Sequence, residues 1–280
     1  MIALSPSAAL VRRYDRERYV TALFAPVERR EALFALYAFN YEVAKTREVV
    51  SEPLLGRIRL QWWRENLDAI YAGGAVRHHE VAEPLADCVR RFGLSRVHFD
   101  RLIDAREFDL ADEPPATIET LESYCADTSG CLVRLALETF GVMDETAHEA
   151  GTRVGIAYAL AGLLRAIPFH ARAGRSYIPA DIAREAGLDP RELHDLKPSP
   201  ALAQAVERLA ERARDQLRAA RSLRSSVPRQ AVPALLLGPL AEASLKALAR
   251  ARYNPFDPRL AAPAGSHTLQ LTFAALRGRY

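Results

Sequence analysis

The residues of this sequence whose types and spacing could do chemistry gather in two stretches. One is Tyr37-Ala38-Phe39-Asn40-Tyr41-Glu42-Val43-Ala44-Lys45-Thr46-Arg47-Glu48; the other runs from Ala157 through Leu164-Arg165-Ala166-Ile167-Pro168-Phe169-His170 to Gly174-Arg175-Ser176-Tyr177-Ile178-Pro179. His170 could act as a metal ligand or a base. With no acidic partner at helical spacing, a hydrogen-bonded structural role is the plainer reading. Lys45 could meet an anion directly, although a salt bridge to Glu42 or Glu48, three positions away on either side, is the simpler expectation. His78-His79 follows Gly73-Gly74 in an expected loop and reads as solvated. Arg208, Arg212, Arg214 and Arg218 alternate with Glu207, Glu211 and Asp215, as on an exposed helix face.

Helices must position these groups. Almost every segment carries the helical period, and no stretch alternates between hairpin turns, so the fold is read as all-α, with roughly ten helices. Start signals stand at Ser51 with Pro53, at Ser95, Thr117 and Asp144, in the capping-box form Asp189-Pro190-Arg191-Glu192, at Ser199-Pro200 and at Ser266. Stop signals stand at Gly93 and Gly141, the helix of the second stretch is expected to end near Pro168, and a loop is expected at Asp112-Glu113-Pro114-Pro115. The adjacent Trp62 and Trp63 cannot share one helix face, so their helix is expected to be buried on two sides.

The totals narrow the class. With 280 residues, 49% of them hydrophobic, the chain can bury a sizeable core as one large domain. A net charge of +3, from 38 basic and 35 acidic residues, gives no sign of a nucleic-acid partner. Cys88, Cys125 and Cys131 are odd in number and lack metal-binding spacing, which suggests a reducing compartment. Apolar runs such as Ile156 to Leu164 fall short of the ~20 residues of a membrane span. A soluble, cytoplasmic protein is expected, with peripheral membrane contact left open.

Leu36-Tyr37-Ala38-Phe39, Trp62-Trp63-Arg64, Asp104-Ala105-Arg106, Tyr124-Cys125, Gly130 and Gly174-Arg175-Ser176-Tyr177-Ile178-Pro179 follow one another in order. In this succession they resemble the squalene/phytoene synthase family over nearly the whole chain. The resemblance implies a single-domain helical bundle of the isoprenoid synthase type with a central apolar cavity. Members of the family join two prenyl diphosphates head to head, and hold each diphosphate through Mg²⁺, a hard ion that takes carboxylate oxygens from two aspartate clusters. Laid on this sequence, the first cluster falls on Ala44, Lys45 and Glu48, and the second on Arg165, Ala166 and His170, with Ala159 and Gly162 upstream. Only Glu48 is a carboxylate. A family tyrosine placed after Tyr-Cys falls on Asp127. Arg165, Arg175 and Tyr177 match the family pattern and, with Asp127, would outline a relict diphosphate or ligand pocket, since a guanidinium fork suits phosphate oxygens. Equally, Arg165 could pair with a carboxylate inside the bundle while the turn is kept for its shape.

The replacements at Leu164 to His170 are most similar to the branch of the family that includes mitochondrial complex I assembly factor 6. That branch implies a non-catalytic member without metal or other cofactor, acting in respiratory complex I (NADH:ubiquinone oxidoreductase) assembly. Its partners would be complex I subunits or assembly factors, met in the cytoplasm or at the periphery of the inner membrane. Two alternatives stay open. One is a Mg²⁺-dependent prenyltransferase with a rearranged site, drawing oxygens from Glu42, Glu48, Asp127, Asp104, Glu107 or Asp109. The other is a prenyl- or lipid-binding protein.

Overall fold

The computed structural model describes residues 4–111, 113–260 and 267–280. These are helices joined by short turns, with no strand among the described residues. Asp112, at the start of the expected loop, and the expected cap Ser266 lie outside them.

Two helices carry the architecture. In Val27–Ala44 every residue from Ala32 to Phe39 is buried, so apolar neighbours enclose this helix on all sides. Glu145–Arg165 begins where the Asp144 side chain accepts the backbone N–H of Ala147 at 2.9 Å, as its sequence signal demands. The N-terminal half of that helix, through Ala147, Ala150 and Val154, belongs to the core built around Val27–Ala44. Its C-terminal half, through Ala157, Leu160, Ala161 and Leu164, belongs to a second core shared with Leu202, Val206, Leu209 and Ala213 of Pro200–Ser222. Fully burying a leucine such as Leu160 contributes roughly 1.5–3 kcal/mol, and small residues let the helices approach closely enough to do so.

A close approach of two backbones lies beside the cavity described below. Ile118–Cys125 and Cys131–Thr139 form one continuous run interrupted by a π-helical turn, Ala126–Gly130, as such wide turns tend to interrupt helices at functional sites. Gly155 faces this turn so closely that a Cβ there would stand 2.6 Å from the Gly130 Cα and 2.8 Å from the Ser129 carbonyl carbon.

Several boundaries differ from the sequence reading. Asp15 breaks the N-terminal helix into Pro6–Tyr14 and Arg16–Ala22, and caps the second piece through the N–H of Arg18. Glu52, not Ser51, holds the N-cap position of Pro53–Tyr71. The helix of the second stretch breaks at Ala166, and Ile167–Arg172 follows with Pro168 in its first turn, where the missing N–H is not needed. Trp63 is buried but Trp62 only half so, and the edge of Pro53–Tyr71 is covered by the His79 ring, 5.1 Å from Trp62, rather than by a second layer. His79 is therefore packed and not solvated, and its Nδ1 accepts the N–H of Val81. No single helix among the described residues is long and apolar enough to cross a membrane.

Gly155→Ala is expected to lower stability by about 1–3 kcal/mol, the usual range for overpacking, because the new methyl meets backbone that cannot rotate away. Chemical denaturation of the purified protein checks this, and an unchanged midpoint would contradict the close approach.

Candidate functional site

Where the C-terminal ends of the two central helices meet, they enclose a cavity of about 270 Å³. Ala44 and Glu48 line it from one side and Arg165, Ala166 and His170 from the other, with Arg175 and Tyr177 closing it from the turn. The two stretches singled out in the sequence thus face each other. Two of the expected residues do not line the cavity. Lys45 turns to Glu42, with Nζ 2.5 Å from Oε1, and lies over the Tyr41 ring. Asp127 sits on the outer side of the π turn and pairs with Arg101. From that turn it is Thr128 and Ser129 that reach the cavity.

Charge lines the cavity beside its apolar atoms: Arg18, Arg47, Arg106, Arg165 and Arg175 stand against the carboxylates of Glu48 and Asp109. Arg18, Arg165 and Arg106 are each tethered. Arg18 is buried, donates to Asp15 at 2.7 Å and to Ser129 Oγ at 3.3 Å, and stacks over Tyr158. Arg165 donates to Glu17 at 2.6 and 3.3 Å, and the Tyr158 hydroxyl donates to the same carboxylate at 2.7 Å. Burial pushes Glu17 up, but the hydrogen bond and charge of Arg165, with help from Tyr158 and Arg18, outweigh it and hold the carboxyl below its ordinary value.

Asp109 anchors the third. Its buried carboxylate accepts from Tyr177 at 2.6 Å, from Tyr124 at 2.8 Å and from Arg106 at 3.1 Å, and Arg106 also donates to the Tyr124 hydroxyl. Burial, followed by the Asp109 charge, pushes the Tyr177 phenol well above its ordinary value, so both tyrosines stay protonated donors. A carboxylate already accepting from three donors has little left to offer a metal. Of the other carboxylates the sequence offered, Asp104 and Glu107 pair with Arg64, and Glu42 pairs with Lys45 and Arg59. Among the described residues, no group of three histidine, cysteine or carboxylate donors able to share one ion lines this cavity.

His170 and Arg175 complete the wall. Burial, then the charge of Arg175, lowers the His170 pKa to about 4, and its Nδ1 has no hydrogen-bond partner among the described residues. The expected hydrogen-bonded histidine is instead a neutral ring, 4.7 Å from the Tyr177 ring, with an open nitrogen. The Arg175 backbone N–H donates to the His170 carbonyl at 2.9 Å, and its side chain also lines a second, larger cavity of about 690 Å³ bounded by Ile178, Ala183, Leu188 and Leu193. The site is built to receive negative charge and polar atoms.

A helical bundle with a polar cavity between the ends of two central helices is the isoprenoid synthase architecture. The squalene/phytoene synthase family model matches residues 11–266, and the chain belongs to that family. It is 33% identical over 271 residues to NADH dehydrogenase (ubiquinone) complex I, assembly factor 6 of Bos taurus, covering 97% of this chain and 81% of that protein. It is also 33% identical over 190 residues to a presqualene diphosphate synthase of Sinorhizobium fredii, covering 67% of each. Among solved structures, a squalene synthase from Alicyclobacillus acidocaldarius superposes with a TM-score of 0.79 at 25% identity, covering 89% of this chain and 94% of that one.

Asp109→Asn is expected to cost about 3–5 kcal/mol, because it leaves the Arg106 guanidinium in the interior without its counter-charge. Denaturant titration reads this, and a cost below 1 kcal/mol would contradict the network. The lowered His170 pKa means that the unfolded chain binds a proton that the folded chain refuses between pH 6.5 and about 4. That contribution to stability is present above pH 6.5 and lost as pH falls through this window. His170→Gln should flatten the pH dependence of stability there, and an imidazole NMR titration near 6.5 would refute the assignment.

Proposed function

We propose that this chain is a non-catalytic member of its family that acts in the assembly of respiratory complex I and meets complex I subunits or other assembly factors. The observation that carries this is the composition of the cavity: five arginines face two carboxylates, and alanines stand at Ala44 and Ala166, where family members place magnesium-binding aspartates. A diphosphate leaves as an anion from a developing carbocation, and metal-bridged carboxylates offset that charge. Here the one lining carboxylate beside Ala44, Glu48, is exposed, and Asp109 is committed to Tyr124, Tyr177 and Arg106. The similarity to complex I assembly factor 6 over 97% of the chain supports the biological half of the reading.

A ligand-binding role fits the same walls. The cationic cavity adjoins, through Arg175, a larger one with an apolar lining, which suits an amphiphile with an anionic or polar head and a prenyl or lipid tail.

Removing the gene from its host should reduce the amount of assembled complex I and its NADH:ubiquinone activity, and reintroducing the gene should restore both. Purified protein incubated with farnesyl diphosphate and Mg²⁺ should release no diphosphate above background. Turnover abolished by Glu48→Gln would instead establish a prenyltransferase, and unaltered complex I in the deletion strain would remove the assembly role.

A further inference from the structure

At the other end of Glu145–Arg165, roughly 20 Å along the helix axis from the cavity, three buried side chains converge with no part in the site described above. They are His98 of Arg96–Ala105, Glu138 of Cys131–Thr139 and His148, in the first turn of Glu145–Arg165. Each is at most 7% exposed, and their ligand atoms all lie within 4.8 Å of one another. We propose that His98, Glu138 and His148 form a binding site for a divalent transition-metal ion of the Zn²⁺ class.

The donor set suits such an ion. Two imidazoles and one carboxylate bind zinc and its neighbours through nitrogen and oxygen at about 2.0–2.2 Å. Ligands around a tetrahedral zinc stand roughly 3.4 Å apart, so closing the present spacing requires side-chain movements on the order of 1 Å. Two atoms of the group are already held by backbone. Glu138 Oε2 accepts the backbone N–H of Ser95 at 2.7 Å, and His148 Nε2 donates to the Val142 carbonyl at 2.8 Å. Hydrogen bonds of this kind orient metal ligands and select the imidazole tautomer.

The protein by itself leaves the group unsatisfied. Glu138 Oε1 and His98 Nδ1 are buried without a hydrogen-bond partner, and the 3.5 Å between His98 Nε2 and Glu138 Oε1 is too long for a good hydrogen bond. A buried carboxylate with one backbone donor is costly, and a bound cation removes that cost. The other charged groups near His98 are Arg134, held by Thr152 and Glu145, and Arg101, held by Asp127, so neither neutralises Glu138. The ion would tie three helices of the larger core together, with a fourth coordination position open.

Metal-free protein should be incubated with Zn²⁺ alone, exchanged into buffer and analysed for metal, and in parallel loaded with Co²⁺ for visible absorption. Roughly one retained equivalent, a raised Tm on loading and tetrahedral Co²⁺ bands without thiolate charge transfer are expected. The isosteric Glu138→Gln and His98→Gln variants should each bind at least ten times more weakly. No retained metal, undiminished affinity in both variants, or a thiolate band placing Co²⁺ on a cysteine would each overturn the site. The wild-type cobalt spectrum decides the matter even if the variants do not fold.

Discussion

A guanidinium cannot enter a helical interior without a partner, and that constraint organises this molecule. Arg18 meets Asp15, Arg106 meets Asp109, and Arg165 meets Glu17. The first two pairs are local, three residues apart, whereas Glu17, near the N-terminus, holds both Arg165 and Tyr158 from the second half of the chain. Breaking one partner would leave a buried charge whose cost exceeds that of a lost hydrogen bond.

The same pairing explains why the cavity is cationic and yet tolerable to the fold. Arg18, Arg106 and Arg165 are compensated by carboxylates and hydroxyls of the protein. Asp109 fixes Tyr124, Tyr177 and Arg106 at once, and His170 adds a neutral face with an open nitrogen. The arrangement sets positive charge and hydrogen-bond donors around the cavity.

Much of this was legible in the sequence. The period of the apolar residues marked the helices, and the caps at Thr117, Asp144, Asp189 and Ser199 all form, because a side-chain oxygen two or three residues before an orphan N–H has an obvious use. The two stretches around Ala44 and Ala166 were singled out in the sequence, and they line one cavity. Asp15 and Arg18 were not identified as site residues, since nothing local distinguishes a buried arginine near the N-terminus from an exposed one, and Asp109 was named only as an oxygen source for a rearranged metal site. Lys45 and Asp127 were placed at the site by alignment, but each follows the nearest opposite charge outward, to Glu42 and Arg101.

The sequence by itself determined the helices and the family, because periodicity, capping and residue identity are local properties. Tertiary structure decided how the cavity is lined. Which arginines turn inward, which carboxylates are consumed in holding them, and how closely Gly155 lets the π turn approach all depend on contacts between residues far apart in the chain. Desolvation and pairing are properties of the assembled interior, and no spacing in the sequence records them.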